Sequence, residues 1–596
     1  MSRRANRGRA ALRTSVRFAS LNRWKDYGCA MPRRALILLV FLAVLIAVPA
    51  PAEAAPPTCS YDAAAHRLSV STATQFGDYA LTTLGRAGDA IVLLHGGTPI
   101  DCAGPDATVT NTDEVAVSLS YQARFAFDLS GGPFAPGFTP ESGGASQIEI
   151  RATGLLEGQW PIYVLGTDAA DSFTAATRMV DGVWKTFLTG DIRIAASGTP
   201  RLTFDVRGGD DVIDAAGGRL WRALSVDAGD GDDTVSAGLG PASFRGGPGN
   251  DILRGGGSVN TLEGQEGNDT LVGAAGRDWF APGPGDDVVK GTNAGSQDTL
   301  AYAPKTSIDR PQPGPAGVRV DLALTRPQDT GQGIDTISGG IEVLYGTAGP
   351  DVLRGTARAE LILGLAGNDL LEPRGGDDRI EGSSGTDTAD YHAAPGPVQM
   401  RLPATFNNPD GYGGVDDQFA IESVVGGAAA DVLTGDGLDN RLDGGLGADT
   451  LDGGGGADTL LPGTGANGGT DGAADTVDGG DGLDDTLSYK GRTWPVAVRL
   501  DGLRNDGADP DHDGFSSASE EGDLATGVER AIGGGGADVL VAPGAEVNVL
   551  DGGPGADFLD AFDGTSAVDR LICGLGADNS RSDPSDALSA CETPLP

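Results

Sequence analysis

Residues 246–254 read GGPGNDILR, and that nine-residue pattern, G-G-x-G-x-D-x-U-x with U a large aliphatic side chain, recurs in strict register along much of the chain. Residues 228–290 run through seven such units without an insertion, 346–390 through five and 426–461 through four, and shorter stretches at 533–550 and 552–560 close the series. A fixed short period is a tight constraint, because every unit must adopt one conformation and bury its apolar residue against its neighbours. Glycines permit positive φ in a turn of about six residues, and x-U-x makes a short strand that points one side chain inward. The fold class that follows is all-β, a parallel β-roll or β-helix solenoid. Two units make one coil, and turns n and n+2 stack on the same side about 4.8 Å apart.

Stacked turns are then 18 residues apart, so the sixth positions can be sorted by face. In the first array Asp233, Asp251, Asp269 and Asp287 share one side, facing away from Ala242, Asn260 and Asp278. The second array sets Asp351, Asp369 and Asp387 against Glu360 and Asp378. The third sets Asp431 and Asp449 against Asn440 and Asp458. Asp538 and Asp557 belong to the last array, where Val547 takes a sixth position without a ligand atom, and Asp211 lies in a degenerate turn, GGDDVID at 208–214, that leads into the first. Carboxylates converging with turn carbonyls suit calcium, a hard cation that takes about six to eight oxygen ligands. One aliphatic side chain per unit is also little burial against the entropy of ordering the backbone, and crowded carboxylates oppose folding until neutralised. Calcium is therefore expected as part of the fold, filling the all-aspartate faces first.

These motifs resemble the RTX, or haemolysin-type calcium-binding, repeat family. The resemblance implies a right-handed parallel β-roll with one calcium between successive turns on each side. It also implies that the sixth-position aspartates act as ligands and that glycine-turn carbonyls complete the shell.

A longer repeat separates the arrays and is visible three times. It opens on D-T-x-x-Y at 298–302, 387–391 and 485–489, continues through alternating strands at 318–322, 398–402 and 496–500, and closes on Glu342, Glu422 and Glu529 ahead of a glycine array. Each block reads as strands that continue the solenoid, with a variable surface loop in the middle. The third loop, with Asp509, Asp511, Asp513, Gly514 and Glu520, formally matches an EF-hand calcium loop. Its serine- and glycine-rich flanks lack the amphipathic helices such a loop needs, so an isolated acidic turn is the favoured reading. The chain accordingly divides into a leader region 1–55, a β-rich cap or early solenoid 56–205, a first array 206–297, a spacer 298–345, a second array 346–390, a spacer 391–425, a third array 426–488, a spacer 489–532, and a last array with a C-terminal cap 533–596.

Composition bears on partners and compartment. The chain holds 84 acidic and 42 basic residues, and residues 1–55 carry only two of the acids but ten of the bases, so the remainder is more acidic still. Such a surface repels nucleic acid and anionic lipid and favours cations. Arg33 and Arg34 precede an apolar run at 35–50 and an A-x-A pattern at 52–54, the form of a secretory signal peptide. The run is shorter than the roughly 20 residues of a membrane span, so a secreted, extracellular chain without a span is expected. Met31 stands directly before this segment as an alternative start. Without Cys29, the cysteines Cys59, Cys102, Cys573 and Cys591 form an even set in an oxidising compartment, and nearness in sequence suggests pairing Cys59 with Cys102 and Cys573 with Cys591.

Catalytic signatures were sought and none stands out. The four histidines, His66, His95, His392 and His512, make no H-E-x-x-H, and no G-x-S-x-G elbow occurs. Asp329, Thr330 and Gly331 spell a single D-T-G in a glycine-rich loop, which reads as a turn. The leading expectation is a non-enzymatic calcium-loaded protein. Two alternatives are carried forward: a polysaccharide-active β-helical enzyme, which would need an exposed aromatic and basic groove, and a surface adhesin that binds its ligand through the spacer loops.

Overall fold

The computed structural model describes residues 57–594 apart from 73–80, 88–89, 109–111, 113, 120–123, 130–148, 154–161, 181–182, 191–192, 198–200, 218–222, 258, 293–296, 303–316, 464–472, 483, 501–503, 509–522, 544–546, 566 and 592. The expected leader, the middle of the first spacer and the acidic loop from Asp509 to Glu520 lie outside these residues. Every regular element among the described residues is a strand, about half of them three residues long, and the fold is a parallel β-roll.

The central aliphatic residue of each x-U-x triplet faces inward and its neighbours face out. Leu253, Leu271, Val289 and Ile337 form one column in parallel register, and Phe204, Val226, Phe244, Leu262, Phe280, Leu300 and Leu344 form the facing one. All are buried, so the core of the roll is two side chains thick. The turns between strands are too close for side chains at key positions. Gly247 and Gly249 sit at φ 129° and 148°, and a Cβ on either would collide with the carbonyl of Gly229 or Gly231 in the coil before.

The region ahead of the first array belongs to the same solenoid. Arg67–Thr72, Glu114–Leu119 and Glu149–Thr153 pair in parallel in one sheet, while Arg124–Asp128, Ile162–Leu165, Arg201–Asp205 and Ala223–Asp227 do so in the other. The coil tightens along the chain: Leu202 pairs with Ile162, Leu224 with Leu202, and Ala242 with Leu224, after which the 18-residue step holds as far as Asp278. Antiparallel hairpins, such as Thr58–Asp62 with Arg67–Thr72, close the N-terminal end. Cys59 is bonded to Cys102 and Cys573 to Cys591, one disulfide near each end of the described chain.

The spacers correct the expectation that they only continue the solenoid. Their first strands, Thr299–Ala301, Thr388–Asp390 and Thr486–Ser488, do extend a running sheet. The alternating strands do not. Arg319–Asp321, Gln399–Arg401 and Val496–Arg499 pair forward with Val352–Arg354, Val432–Thr434 and Val539–Val541 and so start a new stack. Meanwhile Ile334–Ser338 and Val415–Phe419 end the old one, each edged by an antiparallel strand, Gln328–Asp329 or Ala404–Pro409, whereas at the third spacer Arg504–Ala508 pairs antiparallel with both Asp523–Thr526 and Val496–Arg499 and joins the old stack to the new. The physical reason is that each spacer carries two strands bound for the same side of the roll. One side therefore changes over at the first and second spacers, the third is bridged by its antiparallel strand, and the opposite sheet runs through at all three.

The last array needs a second correction. Val549 pairs with Arg530, a step of 19 residues, so Asn548 and not Val547 takes the buried turn position. Val547 is 58% exposed, whereas Asn548 is buried and its N–H donates to Asp569 Oδ1 at 2.7 Å. One inserted residue moves the strand register and carries the turn with it.

Candidate metal centre

Each turn aspartate ties its coil to the one before. Asp233 N–H donates to Asp251 Oδ1, Asp251 N–H to Asp269 Oδ1 and Asp269 N–H to Asp287 Oδ1, all at 2.8 Å. The ladder begins at Asp171, whose N–H donates to Asp211 Oδ1, continues from Asp211 to Asp233, and ends where Asp287 N–H meets Asp335 Oδ1 at 3.0 Å. Strand pairing thus places the turn carboxylates on the face that the 18-residue spacing predicts.

The second carboxylate oxygen is the chemically open one. In Asp211, Asp233, Asp251, Asp269 and Asp287 the Oδ2 atom is sealed from solvent and accepts no hydrogen bond, and the same holds for Asp369, Asp378, Asp387, Asp458 and Asp557. Carbonyl oxygens of the next turn close on the same places. A Cβ on Gly246 would collide with Asp251 Oδ2 and lie 2.8 Å from Gly264 O, and one on Gly264 would collide with Asp269 Oδ2 and contact Pro282 O. The arrangement recurs at Gly346 with Asp351 and Gly364 O, at Gly444 with Asp449 and Pro462 O, and at Gly533 with Asp538 and Gly552 O. Asp278, Asp351, Asp431 and Asp538 differ, for their Oδ2 atoms accept turn N–H groups from Ala274, Thr347, Gly427 and Gly534. Three of these four stand first in a new stack.

Burial raises the carboxyl pKa values. Desolvation is the main cause throughout, with neighbouring carboxylates adding to it at Asp251, Asp287, Asp211, Asp369 and Asp557, which are pushed up to about 7. Asp233, Asp269, Asp278, Asp458 and Asp538 reach about 6 and Asp378 about 9, while Asp351, Asp387 and Asp431 are raised. A divalent cation is the natural remedy for buried oxygens of this kind, and a hard one takes carbonyl and carboxylate oxygen together. Among the described residues no three His, Cys, Asp or Glu side chains converge on a single point, so a shell built here draws mainly on backbone oxygen.

The opposite faces carry the defects read from the sequence. Ala242 offers no oxygen. Asn260 turns its amide on the turn, accepting from Gly256 N–H at 2.9 Å and donating to Asp278 Oδ1 at 2.6 Å. Glu360 closes on Thr356, and Asn440 accepts from Asp436 N–H.

Several members of the stacks were missed by the nonapeptide. Asp298, Asp335, Asp416, Asp475, Asp485, Asp523, Asp569 and Asp578 all occupy the turn position and are buried. A weaker signal was present, since Asp335, Asp475 and Asp485 each precede a Thr and then an inward Ile, Val or Leu. The Tyr of D-T-x-x-Y was noticed but not its role. Tyr302, Tyr391 and Tyr489 are buried and donate to Oδ2 of Asp335, Asp416 and Asp523 at 2.7, 2.7 and 2.8 Å. Glu342, Glu422 and Glu529 accept the N–H groups of Asp298, Asp387 and Asp485 and so stand in for turn aspartates.

Fold and site together define a class, the repeat roll whose stacked turns pair buried carboxylate with backbone carbonyl oxygen. The family model for the RTX calcium-binding nonapeptide repeat matches residues 225–241, 245–280, 254–289, 336–371, 354–389, 425–460, 434–468 and 544–565. The arrays are RTX repeats, and the chain that carries them is a calcium-binding repeat protein. No curated protein matches the chain.

Proposed function

We propose that this is a secreted, non-enzymatic protein whose roll is completed by calcium held between stacked turns, with Asp233, Asp251, Asp269 and Asp287 as the best-formed series. One observation carries the reading: the Oδ2 atoms of these residues are buried, unpartnered and in line. Asp369, Asp387, Asp378, Asp458 and Asp557 offer the same oxygen in the later arrays. Asp351, Asp431 and Asp538, already bonded to a turn N–H, stand first in their stacks, and Asp278 is bonded likewise within a running one; the shell is weaker at all four. Calcium here is part of the fold and not a reagent. Export is supported by the leader pattern and by two disulfides, which persist in oxidising compartments. Circular dichroism of the mature chain during calcium titration tests the coupling. The β-signal is expected to grow with calcium, and a full signal in chelator would defeat metal-driven folding.

A second reading, recognition of a polysaccharide, is favoured by one feature. On the outer face of the sheet that runs through the first spacer, a cavity of about 410 Å³ is lined by Trp279, Tyr345, Arg277 and Gln297, with the two rings 5.5 Å apart. Aromatic planes beside donors are what a sugar ring needs. Binding of an acidic polysaccharide that is lost in Tyr345→Ala and Arg277→Ala would support it, and no binding by the calcium-loaded chain would remove it.

A further inference from the structure

The spacer between the second and third arrays holds a carboxylate that the nonapeptide does not account for. Residues 410–416 read DGYGGVD and form the hairpin turn between Ala404–Pro409 and Val415–Phe419. This turn stacks on the coil of Asp378: Asp417 N–H donates to Asp378 O at 2.8 Å, and Asp378 N–H donates to Asp416 Oδ1 at 2.9 Å. Asp416 has no oxygen to spare, because its Oδ2 is taken by the Tyr391 hydroxyl.

Asp410, at the head of the turn, is fully buried. Its Oδ1 accepts three N–H groups, from Tyr412 and Gly413 at 2.9 Å and from Gly414 at 2.8 Å. Its Oδ2 is sealed and accepts nothing, and so is Oδ2 of Asp378. Gly414 locates a companion oxygen. A Cβ there would lie 3.0 Å from Asp410 Oδ2 and collide with the carbonyl oxygen of Gly376, so these two oxygens flank one point. A buried, unpartnered carboxylate oxygen facing a carbonyl oxygen is strongly unfavourable unless a cation joins them. The first spacer closes the equivalent turn without charge: Thr330 stands there, and its hydroxyl donates to Asp335 Oδ2 at 2.9 Å.

We propose that Asp410 Oδ2 and the Gly376 carbonyl form the core of a calcium site at this spacer turn, with its defining carboxylate ahead of the turn and outside the nonapeptide. The family match stops at residue 389 and resumes at 425, so Asp410 lies between matched segments. The site shares no carboxylate with the nonapeptide reading above.

The test counts calcium bound per full-length chain at saturation, by equilibrium dialysis and atomic emission. Asp410→Asn keeps an Oδ1 acceptor for the three N–H groups but replaces the open oxygen by an amide donor. It is expected to bind one ion fewer per chain than the unaltered protein, while Asp329→Asn, an exposed charge loss in the first spacer, binds the full number. An unchanged count and affinity in Asp410→Asn overturns this site and leaves the nonapeptide reading standing. A parent chain that binds no calcium overturns both. If Asp410→Asn does not fold, Tyr412→Phe decides: Tyr412 lies in the turn, so tyrosine-sensitised terbium emission is expected to fall, and unchanged emission overturns the site.

Discussion

The two oxygens of Asp251 do different work. Oδ1 holds the N–H of Asp233, and Oδ2 is left for a cation. Asp251→Asn therefore retains the coil-to-coil hydrogen bond and loses the ligand. Asp251→Ala loses both and leaves a buried N–H unsatisfied, at a cost of about 1–3 kcal/mol. Calorimetric titration is expected to show calcium binding weakened far more by Asp251→Ala with Asp269→Ala than by Asn260→Ala, and equal effects would contradict the sorting by face. The raised pKa values give a further test, with a definite sign. Asp251 and Asp287 ionise near 3.8 when unfolded but at about 7 in the metal-free roll. Their protonated forms contribute stability that is fully present below about pH 4 and is lost as pH rises through 7. In chelator, urea midpoints should fall between pH 4 and pH 7.5. With calcium the trend should reverse, since protons and metal compete for the same oxygens.

At the scale of an element, the spacer tyrosines show how a stack ends. Tyr391 donates to the Oδ2 of Asp416, and Gln418 donates in turn to the Tyr391 hydroxyl at 3.0 Å, so the last carboxylate is satisfied by protein alone. Tyr391→Phe is expected to destabilise the second spacer by about 1–3 kcal/mol with no change in the number of calcium ions bound. The comparison of unfolding in chelator with the ion count checks both halves. These elements also mark the limit of what the sequence discloses. A strict period gave the inward Leu253 and Leu271 and the shared face of Asp251 and Asp269, because an 18-residue coil leaves no freedom in register. The alternating residues Val318 and Val320 identified a strand but not its partner, since alternation says which way a side chain points and not which neighbour it joins. The period puts Val547 and the fold puts Asn548 at the turn position of the last array, because a one-residue insertion in a glycine turn leaves no local trace, and the role of Asp410 depends on a turn that stacks only in three dimensions.

Over the whole molecule, stability is spread along a column two side chains across. Leu300 and Leu344 lie in the sheet that passes through the first spacer, and both are fully buried. Leu344→Ala is expected to cost about 2–5 kcal/mol. Amide exchange should show the loss of protection greatest in the adjoining coils and fading along the axis, as nearest-neighbour coupling requires. A loss spread evenly over all arrays would contradict that picture.

The changeover of one side at the first and second spacers also governs how the chain bears load. Sheets end at Ile334–Ser338 and at Val415–Phe419, and at each of these levels the opposite sheet is unbroken. The arrays are joined as planks are in a scarfed beam, with staggered seams and no transverse plane free of hydrogen bonds. A tensile pull on the two ends meets a continuous sheet wherever the other is cut, so rupture has to peel coils from an end instead of parting one array from the next.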